Sequence, residues 1–260
     1  MSTLFTTKYG PWAVIAGASE GLGAAFAQAL ASRGMNLLLL ARREDVLGEL
    51  AATLQSQGIE VRALGCDLAR PDLAEFLERA TRDLEVGLAV YNAAYAPIGP
   101  FMQRSTEELL RVVDVNVRGP LVFARTLLPN MVARRRGGLV LMSSMAGFQG
   151  APNIAAYAAS KAFSSVLAEG LWSELTPQGV DVLVSCAGAI RTPGYLQSKK
   201  GDAPGTLDAK DVAEATLRAL GSGPALVPGL TNQLARFLLG RVLPRRAAIE
   251  VMARSTRELT

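Results

Sequence analysis

The sequence predicts one doubly wound α/β domain, a seven-stranded parallel sheet with helices on both faces. Three observations predict it. Short apolar runs of strand length alternate with longer amphipathic stretches of helix length along the 260 residues. The apolar runs are continuous, as in strands covered on both faces. Gly34, Gly58 and Gly179 fall where helical stretches return to strands. With half of its residues hydrophobic and no linker, repeat or low-complexity stretch, the chain reads as one domain over 1–260.

The first strand, 12–17, runs into a glycine-rich turn and a helix over 21–33. Strand 36–41 leads to helix 43–57, strand 60–66 to helix 71–84, and strand 87–92 to helix 105–135. Strand 138–143 leads to helix 154–176, and strand 180–186 to the longest irregular stretch, 188–208. Helix 209–220 and strand 224–227 close the sheet through right-handed crossovers. A long loop after a strand is commonly functional, so 188–208 is read as a substrate loop, with Tyr195, Leu196 and Ile190 as apolar lining and Lys199 and Lys200 at a solvated tip. Residues 229–260 set Leu234, Phe237, Leu238, Val242 and Leu243 among arginines, an amphipathic helical pattern. Such a tail packs on its own domain or on a sister subunit; a membrane-surface helix is the sharper alternative.

The formal charge of +4 is carried by the tail, where Arg236, Arg241, Arg245, Arg246, Arg254 and Arg257 face only Glu250 and Glu258. A nucleic-acid footprint needs a broader basic face, so no nucleic-acid partner is expected. No apolar run reaches the ~18 residues of a membrane span, and the first residues do not read as a secretory signal. Cys66 and Cys186 lie in apolar patterns without metal-ligand spacing. A cytoplasmic protein with reduced cysteines and no metal site is expected.

The chemistry is concentrated in Ser143-Ser144 and Tyr157-Ala-Ala-Ser-Lys161. A tyrosine and a lysine four apart share a helix face. A phenol ionises near pH ~10, and a neighbouring ammonium is expected to lower that value into a useful range. The chain has no histidine, so Tyr157 is the leading candidate for acid/base work. The bland alternative is a half-buried ring under a solvated amine. A serine thirteen residues before the tyrosine is placed to bind the reacting oxygen.

A second constellation suits a dinucleotide. The first strand enters Gly17-Ala-Ser19-Glu20-Gly21-Leu22-Gly23 and then a helix. Glycines admit a pyrophosphate, and the helix N-terminus offers free N–H groups. The second strand ends Ala41-Arg42-Arg43. An acid there would bind the ribose of NAD, whereas arginines suit the 2′-phosphate of NADP. Glu20 is a mild counterweight. Asp67 follows the third strand on the adenine side, and Asn92-Ala93-Ala94 follows the fourth.

Taken together, these residues resemble the single-domain branch of the short-chain dehydrogenase/reductase family, from about Trp12 to Val227. The resemblance implies a Rossmann-type fold. Its glycine motif corresponds to Gly17, Gly21 and Gly23, with Ser19 and Leu22 in the same loop. Its acidic adenine contact corresponds to Asp67, beside Leu68. The Asn-Asn-Ala-Gly motif stands as Tyr91-Asn92-Ala93-Ala94, whose last alanine leaves less room beside a cofactor. The active-site asparagine corresponds to Asn116, expected to interrupt a helix and hold a water that links Lys161 to solvent. The catalytic serine corresponds to Ser144 rather than Ser143, and the tyrosine and lysine to Tyr157 and Lys161, which also count as cofactor contacts, Lys161 at the nicotinamide ribose. Pro-Gly-x-x-x-Thr stands as Ala187-Gly188-Ala-Ile190-Arg-Thr192, with Thr192 toward the nicotinamide amide and a looser loop start where the proline is lost. The stretch GASEGLGAAFAQALASRGMNLLLLARR is also similar to reductases of 3-ketoacyl thioesters and some steroid ketones.

The resemblance implies hydride transfer between NADP(H) and a carbonyl or secondary alcohol, an apolar ketone or 3-oxoacyl compound, in a homodimer or homotetramer formed through the two long helices. The alternatives are an NAD-linked alcohol dehydrogenase and a dinucleotide-binding sensor or scaffold without catalysis.

Overall fold

The computed structural model describes residues 2–198 and 201–257. Its strands are β1 (Trp12–Ala16), β2 (Asn36–Ala41), β3 (Val61–Gly65), β4 (Val86–Tyr91), β5 (Gly137–Ser144), β6 (Val180–Ala187), β7 (Ile190–Arg191), β8 (Leu207–Asp208) and β9 (Ala225–Leu226). Seven of them form one parallel sheet in the order β3-β2-β1-β4-β5-β6-β9. The other two, β7 and β8, pair with each other inside the predicted substrate loop.

Helix α1 (Ser2–Tyr9) precedes the sheet. Among the crossovers, α2 (Gly21–Ala31) and α3 (Glu44–Gln55) lie on one face, and α4 (Leu73–Thr81) on the other. Next come α5 (Thr106–Val113), α6 (Gly119–Ala133), α7 (Ala155–Leu175), α8 (Pro193–Ser198) and α9 (Ala209–Ala219). The chain closes with α10 (Leu230–Phe237) and α11 (Arg245–Arg257).

The period-2 pleat explains the two layers. Ala13, Ile15, Leu37, Leu39, Leu88 and Val90 join Phe26, Leu30, Leu47, Leu54, Val212 and Leu217 in one core. Their neighbours Val14, Ala16, Leu38, Leu40 and Ala89 join Leu73, Leu77, Phe123, Leu127 and Met131 in the other. Continuous apolar runs are needed because both faces are covered.

Three sequence expectations are corrected, and the helix break expected at Asn116 is present. The lead before β1 is helical: the Phe5 and Tyr9 rings meet at 4.7 Å, and the Tyr9 hydroxyl donates to Asp181. The helix expected over 105–135 contains a π turn at Asp114–Arg118 between α5 and α6. The substrate stretch is less irregular than expected, and the side chain of Leu196, with Lys199 and Lys200, lies outside the described residues. The lost proline does not loosen the start of that stretch. Ala187 is buried and ends β6 in register with Ser144.

Candidate active site

Strand order reverses between β2-β1 and β4-β5, and open α/β sheets bind ligands in the crevice at such a point. A cleft of about 420 Å³ opens there, lined by residues that include Gly17, Ser19, Arg42, Asp67 and Asn92. Gly17 turns the chain out of β1 with φ +82°. A Cβ there would sit 2.7 Å from the Ala93 backbone. A Cβ on Gly23 would lie 1.9 Å from the Gly17 carbonyl oxygen, so α2 can pack on the turn only through a glycine. Asn92 Nδ2 donates to that carbonyl at 2.8 Å, tying β4 to the loop. Glu20, the N-cap of α2, makes no side-chain cap, which leaves the first-turn N–H groups available to an anion. Leu22 spends its side chain in the core. Leu68 is buried yet lines the cleft. A Cβ on Gly21 would meet Thr192 Cγ2 at 2.8 Å, so the glycine loop touches the segment after β6. Gly188 packs against the Asn232 side chain, and Ile190 packs on the main core rather than standing free as substrate lining.

The two arginines after β2 have different surroundings. Arg43 pairs with Glu20 at 2.8 Å and reaches Ser19 Oγ at 3.3 Å. Arg42, which also lines the cleft, has no hydrogen-bond or ion-pair partner among the described residues. Asp67 Oδ1 accepts the Ala69 N–H at 3.0 Å, and Oδ2 accepts from Arg111 Nη2 at 2.7 Å. Burial pushes the Asp67 carboxyl up, but these hydrogen bonds outweigh it and hold the group below its usual range. Arg111 lies over the Tyr95 ring, 5.7 Å from its centroid. Both Arg111 and Tyr95 line the cleft, and sequence reasoning missed them, because neither falls in a motif.

Ser144 ends β5, and Tyr157 and Lys161 stand one turn apart on α7. The pleat separates the two serines. Ser143 Oγ turns inward, donates to the Lys161 carbonyl at 2.7 Å and meets Ser165 Oγ at 3.0 Å. Ser144 Oγ instead accepts the Ala146 N–H at 3.2 Å and lies beside the Tyr157 phenol, which it pulls down. Burial raises the Tyr157 phenol above its ordinary value, and Ser144 offsets this only in part. This corrects the expectation that Lys161 lowers it. The Lys161 ammonium donates to the Met142 carbonyl at 2.8 Å and lies 5.5 Å from the Tyr157 ring centroid. Burial pushes Lys161 itself down to about 8.

Asn116 is buried in the π turn. Its Oδ1 accepts the Tyr95 N–H at 2.8 Å, and its Nδ2 donates to Tyr95 O at 2.9 Å and to Ser160 Oγ at 3.0 Å. The tail folds over the same region. Arg245 donates to the Phe148 carbonyl at 2.7 Å, and Arg236 stacks on the Phe148 ring. Met252 packs with Ile154 and Tyr157 against Ala146, Ala151 and Ala158. Arg236, Arg245 and Met252 thus meet the domain beside the tyrosine, whereas Leu234, Phe237, Leu238, Val242 and Leu243, the apolar stripe expected to pack, stay exposed.

The sheet order, the glycine turn and the Ser144, Tyr157 and Lys161 grouping define a doubly wound α/β oxidoreductase. A short chain dehydrogenase family model matches residues 11–202, and the chain belongs to that family. It is 35% identical over 199 residues to a 7beta-hydroxysteroid dehydrogenase of Clostridium sardiniense, covering 76% of each chain. A solved structure from work on 7beta-hydroxysteroid dehydrogenase stereoselectivity superposes with TM-score 0.90 at 29% identity, covering 95% of this chain and 98% of the other. A short-chain dehydrogenase from Sphingobium yanoikuyae in complex with NADPH gives TM-score 0.78 at 32% identity, covering 85% and 88%. No helix among the described residues is long and apolar enough to cross a membrane.

Proposed function

We propose that this chain is an NADP(H)-dependent reductase of apolar ketones, with 3-oxoacyl compounds as the second substrate class. The observation that carries the reading is the grouping of Ser144 at the end of β5 with Tyr157 and Lys161 on α7, where burial holds the Tyr157 phenol above its ordinary value. A protonated phenol is the form a proton donor needs, so reduction is the direction for which the site is prepared. The apolar character of the substrate is supported by Met252 and Ile154 packed against Tyr157.

The residues present fit a dinucleotide. Gly17 and Gly23 keep the turn free of side chains, the first turn of α2 lacks a side-chain cap, and Arg42, without a hydrogen-bond or ion-pair partner among the described residues, lines the cleft where a 2′-phosphate would lie. Asp67 and Leu68 would flank the adenine, and Thr192 and Lys161 the nicotinamide end. The bound cofactor supplies the hydride and the redox chemistry. Tyr157 gives its proton to the carbonyl oxygen. Ser144 hydrogen-bonds that oxygen and stabilises the charge that develops in the transition state. Lys161 and Asn116 hold the local geometry of α7. The work is assigned to a single cytoplasmic domain, as a homodimer or homotetramer through the apolar faces of α6 and α7.

The test is cofactor consumption with a panel of steroid, long-chain and sugar carbonyl compounds, using wild type and Arg42→Ala. NADPH turnover on the apolar members is expected. Arg42→Ala should raise the KM for NADPH roughly ten- to a hundred-fold, the scale of a lost charge-assisted contact, and leave that for NADH nearly unchanged. Equal effects on both cofactors, or a preference for NADH, would favour the NAD-linked alternative. No turnover on any carbonyl compound or alcohol would favour the non-catalytic sensor.

A further inference from the structure

The helix that carries Asn116 has a backbone defect, and Tyr91 completes it. In the π turn the Gly119 N–H bonds the Asp114 carbonyl, five residues back. An α-helix would have given that N–H to Val115 O. The next residue along is Pro120, which has no N–H to offer. The carbonyl of buried Val115 is thus left without a helical donor, a costly state for a main-chain group. The Tyr91 hydroxyl supplies the bond, donating to Val115 O at 2.6 Å. Only glycine leaves room for it, because a Cβ on residue 119 would lie 2.1 Å from the Tyr91 oxygen. The Tyr91 ring is 3% exposed and meets Phe123 edge-on at 5.3 Å.

The segment after β4 grips the turn a second time. Tyr95 bonds both ends of the Asn116 amide through its main chain, and Asn116 Nδ2 reaches Ser160 Oγ. Ser160 Oγ in turn donates to the Tyr157 carbonyl at 2.7 Å. One residue fewer in the turn would rotate Asn116 about 100° relative to α6.

We infer that Tyr91 is a positioning residue: its hydroxyl, with Gly119 and Pro120, holds the π turn that sets Asn116 against the helix of Tyr157 and Lys161. The inference rests on the catalytic reading of Tyr157, so Tyr157→Phe is measured beside it.

Tyr91→Phe removes the hydroxyl and keeps the ring. Its kcat should fall roughly ten- to a hundred-fold, the scale of a small misplacement in an active site. Its Kd for NADPH, from fluorescence titration, should stay within about two-fold of wild type, since the glycine turn is untouched. Gly119→Ala should lose kcat likewise, and the double variant should be no worse than the poorer single one, because both changes break one contact. If Tyr91→Phe is insoluble, Gly119→Ala carries the same test from the other side of the contact. Wild-type kcat in Tyr91→Phe with inactive Tyr157→Phe overturns the positioning role alone. Full turnover by both overturns the catalytic reading as well. An equal loss of kcat and NADPH affinity, or additive single effects, reduces Tyr91 to a general packing residue and also overturns the inference.

Discussion

At the scale of single residues, the Lys161 ammonium lies over the Tyr157 ring, as the spacing suggests, but makes its hydrogen bond elsewhere. The amine donates to Met142 O, and Ser144 is the group that lowers the phenol. Burial acts on the two in opposite senses, raising the phenol and lowering the amine to about 8. Two outcomes are expected for reduction. Tyr157→Phe should lose at least ~10² in kcat while binding NADPH, because only the hydroxyl carries the proton. The wild-type rate should also decline as pH rises through about 8, where Lys161 loses its charge while the phenol is still protonated. A pH–rate profile flat to well above that value would show that the charge on Lys161 is not needed. Ser144 and Ser143 differ for a simpler reason. Both were legible as candidates, and the alternating pleat of β5 sends them to opposite sides.

At the scale of elements, α11 packs beside Tyr157 through Met252. Tail patterning revealed an apolar stripe with arginines but not its destination. Pro244 ends the first helical run, and Arg245, Ala248 and Met252 then return to the domain. If Met252 forms a wall for the substrate, kcat/KM for straight-chain ketones should climb with chain length. Each added methylene is worth roughly 0.8 kcal/mol, or about four-fold, until the space is full. Met252→Ala should flatten that climb. A uniform drop along the series would instead mark the residue as a support for α11.

At the scale of the whole molecule, the apolar face between α6 and α7 is open. Leu121, Leu128, Val132, Leu167, Leu171 and Leu175 line a shallow groove between α6 and α7. The proposed dimer or tetramer would cover this face. Leu171→Glu would bury a carboxylate in the assembled form. It should therefore shift the sedimentation of the protein to that of a monomer. A wild-type chain that sediments as a monomer, or an unchanged assembly in the variant, would place the contact elsewhere.

The sequence by itself determined the alternation of strands and helices, the parallel sheet, the glycine turn and the order of the candidate site residues. These depend on local signals: apolar runs of strand length, glycines at turns, and side chains four apart on a helix. The tertiary structure decided what depends on groups far apart in the chain. It made α1 a helix through Tyr9 and Asp181, and it gave Arg43 to Glu20 while leaving Arg42 open. It set Asp67 against Arg111 and folded α11 onto Tyr157. The π turn shows the division most plainly. Gly119 and Pro120 are visible in the sequence, but the carbonyl they leave unsatisfied and the Tyr91 hydroxyl that answers it come together only when β4 packs beneath the helix. Periodicity records which face of an element is apolar, whereas a hydrogen bond between residues 24 positions apart exists only once the chain has folded.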